Sequence, residues 1–240
     1  MSINQRPVKG KSTRLSFTNV FLLECEGSHL LIDTSYNHLY PQFRSWLRRI
    51  GVGLDEIRYL LLTHHHDDHA GFVKALVEDT GASLIAHENT VPHLREGAHH
   101  MDIDYMNTCT EITLRLFSLF RRHTYPSYEV KDDDILIRGD EPKLLEEIGI
   151  DGEVLYTPGH TDDSITVLMS NGDAFVGDAA MNFLGFCRIK NRPIVYRSID
   201  DVYRSWERLI ERGARTIYPS HGDAFDADKL CQGLRQRRGG

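Results

Sequence analysis

The segment Thr63-His64-His65-His66-Asp67-Asp68-His69-Ala70-Gly71 is the most informative part of the chain. Every residue from 64 to 69 is a histidine or an aspartate, and the spacing His-x-His-x-Asp-His falls on His64, His66, Asp68 and His69. So many imidazoles and carboxylates in one short turn lose solvation unless a cation gathers them. The segment therefore predicts a metal site whose remaining ligands come from elsewhere in the chain.

Apolar patterns around this segment predict the secondary structure. Two short apolar runs at 19–24 and 29–33 predict a β-hairpin, and apolar residues spaced by three and four from 40 to 50 predict a helix. The run 57–63 predicts a buried strand, so the histidine segment is expected in the loop after its carboxyl end. Loops at strand ends commonly carry binding and catalytic residues.

The rest of the chain continues the mixture of strands and helices, without repeats or low-complexity linkers. The patterns predict helices at 71–79, 112–120 and 202–212, and strands at 83–87, 135–138, 154–157, 164–169, 174–176 and 216–219. Strands grouped with helices in two halves predict sheets packed inside with helices outside, in an α/β sandwich.

Composition narrows the function classes. The formal net charge of -7 at pH 7 disfavours a nucleic-acid partner, because proteins that bind nucleic acids usually carry a net basic domain. The basic cluster Arg235, Arg237 and Arg238 lies close to the carboxyl end and is interpreted as a solvated terminus.

The four cysteines and the apolar runs bear on the cellular location. Cys25, Cys109, Cys187 and Cys231 are far apart and form no Cys-x-x-Cys pair, so reduced thiols are expected. The first ten residues lack the apolar run of a signal peptide, and no stretch reaches the roughly 18 to 20 apolar residues that span a bilayer. These features predict a cytoplasmic protein without a membrane partner.

Three further segments carry candidate ligands. Thr157-Pro-Gly-His160, Val176-Gly-Asp178 and Tyr218-Pro-Ser-His221 share one local design, in which an apolar strand is followed by a small turn residue and then by the ligand. This shared placement allows His160, Asp178 and His221 to meet at one sheet edge.

With these motifs the sequence resembles the metallo-β-lactamase-fold hydrolase superfamily from about residue 19 to 222. Five motifs follow the family's order: Ile32-Asp33-Thr34, the histidine segment, Pro-Gly-His160, Gly177-Asp178 and His221. The resemblance implies an α+β fold, an αβ/βα sandwich of two mixed β-sheets flanked by helices, as a single domain over 1–240. It also implies two metal ions, the first held by His64, His66 and His160, the second by Asp68, His69 and His221, with Asp178 bridging both.

The expected chemistry agrees with this ligand set. Nitrogen and oxygen ligands without a thiolate suit two Zn²⁺ ions, although Fe, Mn or Co are also accepted. Two such ions lower the pKa of a bridging water toward neutrality and so generate hydroxide. Asp68 is the expected catalytic residue, orienting this nucleophile and passing a proton to the leaving group of a small-molecule substrate.

Several residues near these motifs keep two interpretations. Asp33 either supports the metal loop by hydrogen bonding or caps a turn at a strand end. His65 and Asp67 alternate with the ligands and are expected to point away, as supports or toward solvent. His87 could face the pocket, but a surface position is favoured, and most of four other histidines are expected at the surface, namely His93, His99, His100 and His123.

Two longer stretches also have two interpretations each. Residues 91–128 form either a lid, with Tyr105, Arg121 or Arg122 touching substrate, or an ordinary helical excursion over one sheet edge. The aromatic stretch 183–186 lines either the pocket or a subunit contact in a homodimer.

The branch of the superfamily is narrowed by departures from family patterns. Too few residues follow His221 for the glutathione-binding region of glyoxalase II, and Met181 stands where lactonases usually have a tyrosine. Secreted class B β-lactamases differ at the position of Asp178, and the basic arm of tRNA 3′-processing endonucleases is missing. The prediction is a dinuclear hydrolase of an ester-like bond. The alternatives are a mononuclear iron oxygenase like the persulfide dioxygenases, or a metal-binding domain without turnover.

Overall fold

Two mixed β-sheets form the centre of the computed structural model, which describes residues 10–98, 104–118 and 123–238. The strands of the described ranges are, in chain order, β1 (Gly10–Leu15), β2 (Thr18–Cys25), β3 (Ser28–Ile32), β4 (Ile57–Leu61), β5 (Ser83–His87), β6 (Asp104–Tyr105), β7 (Ile135–Ile137), β8 (Gly152–Tyr156), β9 (Ile165–Met169), β10 (Asp173–Gly177), β11 (Val195–Tyr196), β12 (Thr216–Pro219) and β13 (Phe225–Asp226).

Both large sheets mix parallel and antiparallel pairs. The first has the order β1-β2-β3-β4-β5-β7, antiparallel up to β3 and parallel from there. The second has the order β13-β12-β10-β9-β8, in which β10 and β12 are parallel and the other neighbours antiparallel. The short strands β6 and β11 pair separately.

The described ranges contain eight α-helices, several of which pack on the outer faces of the sheets. In chain order they are α1 (Tyr40–Ile50), α2 (Asp67–Ala70), α3 (Val73–Thr80), α4 (Val91–Glu96), α5 (Thr108–Ser118), α6 (Leu144–Glu147), α7 (Ile199–Glu211) and α8 (Asp228–Arg238). No helix within the described ranges is both long enough and apolar enough to cross a bilayer.

The sandwich has three apolar layers because the side chains of a strand alternate between its two faces. In β3, Leu30 and Ile32 pack in the layer between the two sheets, whereas Leu31 packs under the helices of the first sheet with Phe43 of α1. Trp206 of α7 is buried in the third layer, against the outer face of the second sheet. Strands buried on both faces lie near the centre of such a sandwich.

This architecture confirms the predicted α+β fold with an αβ/βα sandwich of two mixed sheets. The helix over 40–50 and the strand over 83–87 have the predicted bounds, and the predicted hairpin is formed by β2 and β3. Other elements differ from the prediction. An additional edge strand, β1, precedes the hairpin, and the second half of the histidine segment forms the helical turn α2 instead of a loop.

Arg235 and Arg237 of the basic cluster are exposed, as predicted, but the cluster belongs to helix α8 and not to a loose tail. Leu230 and Leu234 of this helix are buried in the apolar layer that also contains Trp206. Arg237 lies over the Tyr203 ring and donates a hydrogen bond to Asp200 (2.6 Å). The basic residues hid an amphipathic pattern because the apolar stripe of α8 is narrow.

The expectation of four reduced thiols is wrong for two of them. Cys109, near the start of α5, forms a disulfide bond with Cys187, which ends the 3-10 turn Gly185–Cys187. Cys25 and Cys231 are free. The two bonded cysteines are 78 residues apart, and sequence spacing does not reveal that residues 104–118 fold back onto the segment after β10. The cytoplasmic location stays a prediction.

Removal of this disulfide is expected to lower the stability of the fold. A cross-link between residues so far apart restricts the unfolded chain, so Cys109→Ser with Cys187→Ser should lower the free energy of unfolding by about 2–4 kcal/mol. Guanidinium unfolding measures the change, with Cys231→Ser as the control that keeps the disulfide. A midpoint that is the same in the double variant and in the wild type would contradict a stabilising cross-link.

Candidate metal centre

The candidate ligands come together because the strands that precede them end at one edge. Strands β8, β10 and β12 run in the same direction, since β8 and β10 are both antiparallel to β9 and β12 is parallel to β10. His160, Asp178 and His221 follow the carboxyl ends of these three strands. The first sheet joins the same edge through a hydrogen bond from the Ile165 amide to the Thr63 carbonyl (2.9 Å).

Two glycines permit the close approach of these loops. Gly177, just before Asp178, has a φ of +54°, and a Cβ there would lie 2.5 Å from the Thr63 hydroxyl oxygen. Gly159, just before His160, has a φ of +136°, and its Cβ would lie 2.3 Å from the amide nitrogen of Val202 in α7. Only glycine adopts such conformations without strain and leaves room for neighbouring backbone.

The structure brings all seven candidate ligands together in three overlapping groups. Within each group the ligand atoms lie within 4.8 Å of one another. The groups are His64, His66 and His160; His64, His69 and Asp178; and Asp68, His69 and His221. All seven residues are buried except Asp68, which is partly exposed.

Asp178 lies between the groups. Its carboxylate oxygens are 3.6 Å from His160 Nε2, 3.5 Å from His69 Nε2 and 3.4 Å from His221 Nε2. Asp68 lies on the outer side, 3.1 Å from His221 Nε2. A single carboxylate thus faces one histidine of the first group and both histidines of the last.

Four of the histidines are oriented by a hydrogen bond from Nδ1, which leaves Nε2 directed at the centre. Nδ1 hydrogen bonds of this kind fix the tautomer and the ring orientation of histidines that bind metals. The four pairs are His64 with the Thr63 hydroxyl (3.1 Å), His69 with Asp33 (2.9 Å), His160 with the Val195 carbonyl (2.8 Å) and His221 with the Phe17 carbonyl (2.9 Å).

Buried polar atoms at the centre fit a bound cation. Nε2 of His64, Nε2 of His69 and Oδ1 of Asp178 have no hydrogen-bond partner among the described residues. Buried polar atoms are nearly always paired in native proteins, and an unpaired group calls for an explanation such as an ion. Imidazole nitrogens with carboxylate oxygens form a donor set that suits zinc and similar ions.

The electrostatics of the centre differ between its two sides. Burial lowers the pKa of His64 well below its usual value, and the neighbouring His69 lowers it further. Burial also lowers the pKa of His221, but the carboxylates of Asp178 and Asp68 outweigh this and raise it to about 10. Burial raises the pKa of Asp178, yet the positive charges of His221 and His69 hold it well below its ordinary value. The side of the centre that contains Asp68, Asp178 and His221 therefore requires positive charge, either from protons or from a bound cation.

Asp33 supports the centre instead of merely capping a turn. It is fully buried, and its carboxylate accepts hydrogen bonds from the Thr63 amide (2.8 Å), the Thr63 hydroxyl (2.8 Å), the Ser220 hydroxyl (3.1 Å) and His69 Nδ1 (2.9 Å). It thereby links the segment of His64 and His69 to that of His221. Its φ of +60° is a conformation that aspartate tolerates better than most residues.

His65 and Asp67 point away from the centre and do not face solvent, since both are buried. Nδ1 of His65 donates to Asp163 Oδ1 (2.9 Å), and the His65 ring stacks on His93 with centroids 3.6 Å apart. No local pattern marks Asp163 as a site residue, although it stands only three residues after His160.

The favoured surface position of His87 is wrong, because this residue is buried and stacks on Tyr156 with centroids 4.5 Å apart. Neither His93 nor His123 is fully exposed. His99 and His100 lie outside the described residues, as do Arg121 and Arg122 of the predicted lid.

A small cleft of about 80 Å³ opens beside Asp68 and His221. Its other walls are mainly apolar and aromatic: Phe17, Tyr36, Leu114, Phe117, Phe183 and Ile194. Leu114 and Phe117 belong to α5, so the 91–128 stretch reaches the cleft through this helix. Tyr105 packs in the cluster of Met181 and Val195.

Comparison with known proteins gives one family. The model of the metallo-beta-lactamase superfamily matches residues 13–221. The lactamase-like protein aptB of Emericella nidulans is 40% identical over 234 residues, covering 93% of this chain and 58% of that protein. The probable metallo-hydrolase YqjP of Bacillus subtilis is 24% identical over 215 residues, covering 80% of this chain and 61% of that protein.

A solved structure agrees in fold. A metallo-beta-lactamase family protein from Thermus thermophilus superposes with a TM-score of 0.68 at 21% identity, covering 97% of this chain and 79% of that one. The chain spans 58 to 61% of the length of several curated relatives that it matches.

Proposed function

The chain belongs to the metallo-beta-lactamase superfamily, and on that basis we propose that it is a metal-dependent hydrolase of an ester-like bond in a small molecule. The bond is an ester, a lactone, a thioester or a phosphoester. The observation that carries the proposal is the position of Asp178, whose carboxylate lies within 3.6 Å of histidines from two ligand groups. The name of the Bacillus subtilis relative, a probable metallo-hydrolase, supports the same class.

The proposed metal centre holds two ions. His64, His66 and His160 bind the first, Asp68, His69 and His221 bind the second, and Asp178 contributes to both. The unpaired Nε2 atoms of His64 and His69 support this assignment, since one belongs to each trio. Zinc is the proposed metal because it binds histidine nitrogens together with carboxylate oxygens, and iron, manganese and cobalt accept the same donors.

The chain's own groups prepare the centre for water attack. When bound, two divalent ions lower the pKa of a water molecule between them and so supply the nucleophile at neutral pH. Asp68 lies at the wall of the cleft, where its Oδ2 is 3.1 Å from His221 Nε2 and 3.3 Å from the Thr18 hydroxyl. From this position its carboxylate orients the attacking water, accepts a proton from it and passes that proton to the leaving group.

The cleft suggests how the substrate is held. Asp68 and His221 are the charged residues of its lining, and the remaining walls are mostly aromatic or aliphatic. A substrate with an apolar group next to its reactive carbonyl carbon or phosphorus atom matches such a cleft. Of the two interpretations of residues 91–128, a lid or an ordinary helical excursion, we propose the lid, formed by α5, because Leu114 and Phe117 form part of this wall.

Metal analysis combined with a substrate panel tests the proposal. Protein purified without added metal is expected to contain about two ions per chain. It should hydrolyse at least one of 4-nitrophenyl acetate, a lactone, an acyl thioester or bis(4-nitrophenyl) phosphate. A chelator should abolish this turnover, and added zinc should restore it.

The control for this experiment is Asp132→Ala, which removes an exposed carboxylate of a turn and should keep both ions and full turnover. At most one ion per chain would contradict the dinuclear centre and favour a mononuclear oxygenase, which oxygen consumption with a persulfide would reveal. Full metal loading without turnover on any substrate would indicate a binding domain.

A further inference from the structure

Asp163 is a second fully buried carboxylate beside the proposed centre, and it belongs to none of the ligand groups. It lies in the turn between β8 and β9, three residues after His160. One oxygen accepts the Nδ1 hydrogen of His65 (2.9 Å), and the other accepts the Thr90 hydroxyl (2.8 Å). The carboxylate therefore connects the turn between β8 and β9 to two other segments, those of His65 and Thr90.

The partners of Asp163 are themselves held in place. The His65 carbonyl accepts a hydrogen bond from the Tyr125 hydroxyl (3.0 Å), and the His65 ring stacks on His93. Thr90 ends the 3-10 turn Glu88–Thr90 and is fully buried. Burial alone would raise the pKa of Asp163, but His65 and the hydroxyl donors hold it below its ordinary value. A buried carboxylate with this many partners is costly to remove and rigid while intact.

His65 stands between two proposed ligands, His64 and His66, and Asp163 shares a turn with the third, His160. The contact between Asp163 and His65 therefore joins the two loops that supply the first metal site. Between these two loops, His66 Nδ1 lies only 3.1 Å from His160 Nε2. A shift of either loop would change that distance directly.

We propose that Asp163 is a positioning residue for the first metal site, acting through His65 to hold His64 and His66 at the correct distance from His160. This inference rests on the proposed function and deepens it. Asp33 makes the corresponding link on the other side, because it joins His69 to the segment of His221 through Ser220. Each half of the centre thus has its own buried carboxylate that ties two ligand loops together.

The test measures the two steps of Co²⁺ and Zn²⁺ binding by competition with a chelator, in the wild type and in Asp163→Asn. This substitution keeps the size of the side chain and removes the charge. Two variants of the Co²⁺ protein identify the sites by their absorption spectra. The absorption lost in His160→Ala belongs to the first site, and the absorption lost in His221→Ala belongs to the second. Asp163→Asn is expected to weaken the site marked by His160→Ala by about 10- to 100-fold and to leave the other unchanged.

Asp162→Asn is the matched control. This neighbouring aspartate pairs with Arg197 at the surface (2.5 Å), its side chain is 37% exposed, and its substitution should change neither step. His65→Gln should reproduce the effect of Asp163→Asn, and the double variant should be no weaker than the single ones, because the two side chains act as one unit. Thermal melting of the metal-free proteins shows whether each variant folds. Thr90→Val is a milder variant, because it removes only one hydrogen bond to the Asp163 carboxylate.

Four results would bear on the inference. Two unchanged binding steps in Asp163→Asn would overturn it. Equal weakening of both steps together with a lower melting temperature would also overturn it, in favour of a purely structural role. A wild type that binds a single ion would instead defeat the two-ion proposal. In that case weaker binding of the single ion in Asp163→Asn would still support the inference, and unchanged binding would overturn it.

Discussion

Replacing Asp178 by alanine is expected to reduce hydrolysis strongly and to lower the metal content. The carboxylate faces His69, His160 and His221, so its loss removes the one anion common to both proposed sites. Breaking a buried charge network by removing one partner costs about 3–5 kcal/mol. If the full cost falls on the transition state, kcat/KM decreases by about 10²- to 10⁴-fold. Kinetics on the best substrate of the panel, with metal analysis of the same sample, measure both effects.

Asp178→Asn separates charge from shape in this experiment. It keeps one oxygen for a metal but lacks the charge, so intermediate metal content with strongly reduced turnover is expected. Asp132→Ala again serves as the control for removal of an exposed carboxylate. Turnover in Asp178→Ala close to that of the wild type, at equal metal content, would remove Asp178 from the mechanism.

The fold was predictable to the extent that local patterns specify it. Strands such as β5 are short apolar runs bounded by turn residues, and α1 carries its apolar residues on one face, so both have their predicted bounds. The narrow apolar stripe of α8 was masked by its arginines. The edge strand β1 contains mostly polar residues and is stabilised by pairing with β2, which no local pattern indicates.

The seven candidate ligands were recognisable because four of them stand together in the histidine segment, and the other three, His160, Asp178 and His221, each follow a strand and a short turn. Their supports were harder to find. Asp163 is identified as important only by its contact with His65, 98 residues away, and a lone buried aspartate resembles a surface one in a sequence. The disulfide between Cys109 and Cys187 was missed for the same reason, since it depends on how α5 folds back.

Replacing Asp33 by alanine is expected to destabilise the fold and to weaken the second metal site. Its removal leaves the amide and hydroxyl of Thr63 and the hydroxyl of Ser220 without their acceptor in the buried core. A buried donor left unsatisfied costs about 1–3 kcal/mol. A φ of +60° costs alanine about a further 1–2 kcal/mol. The total loss should therefore exceed about 3 kcal/mol in urea unfolding of the metal-free protein, a value that few single substitutions reach.

Asp33→Asn and Ser220→Ala divide this loss into its parts. Asparagine adopts a positive φ almost as readily as aspartate and still offers one acceptor, so its cost should be smaller, while the lost charge near His69 weakens the second site. Ser220→Ala removes one donor together with its need for an acceptor, and should cost about 1 kcal/mol or less. If Asp33→Ala were no less stable than Ser220→Ala and bound both ions as tightly as the wild type, Asp33 would be a simple turn residue. The expected order, with alanine at position 33 worst and Ser220→Ala mildest, would instead show that one carboxylate holds two ligand loops through several hydrogen bonds at once.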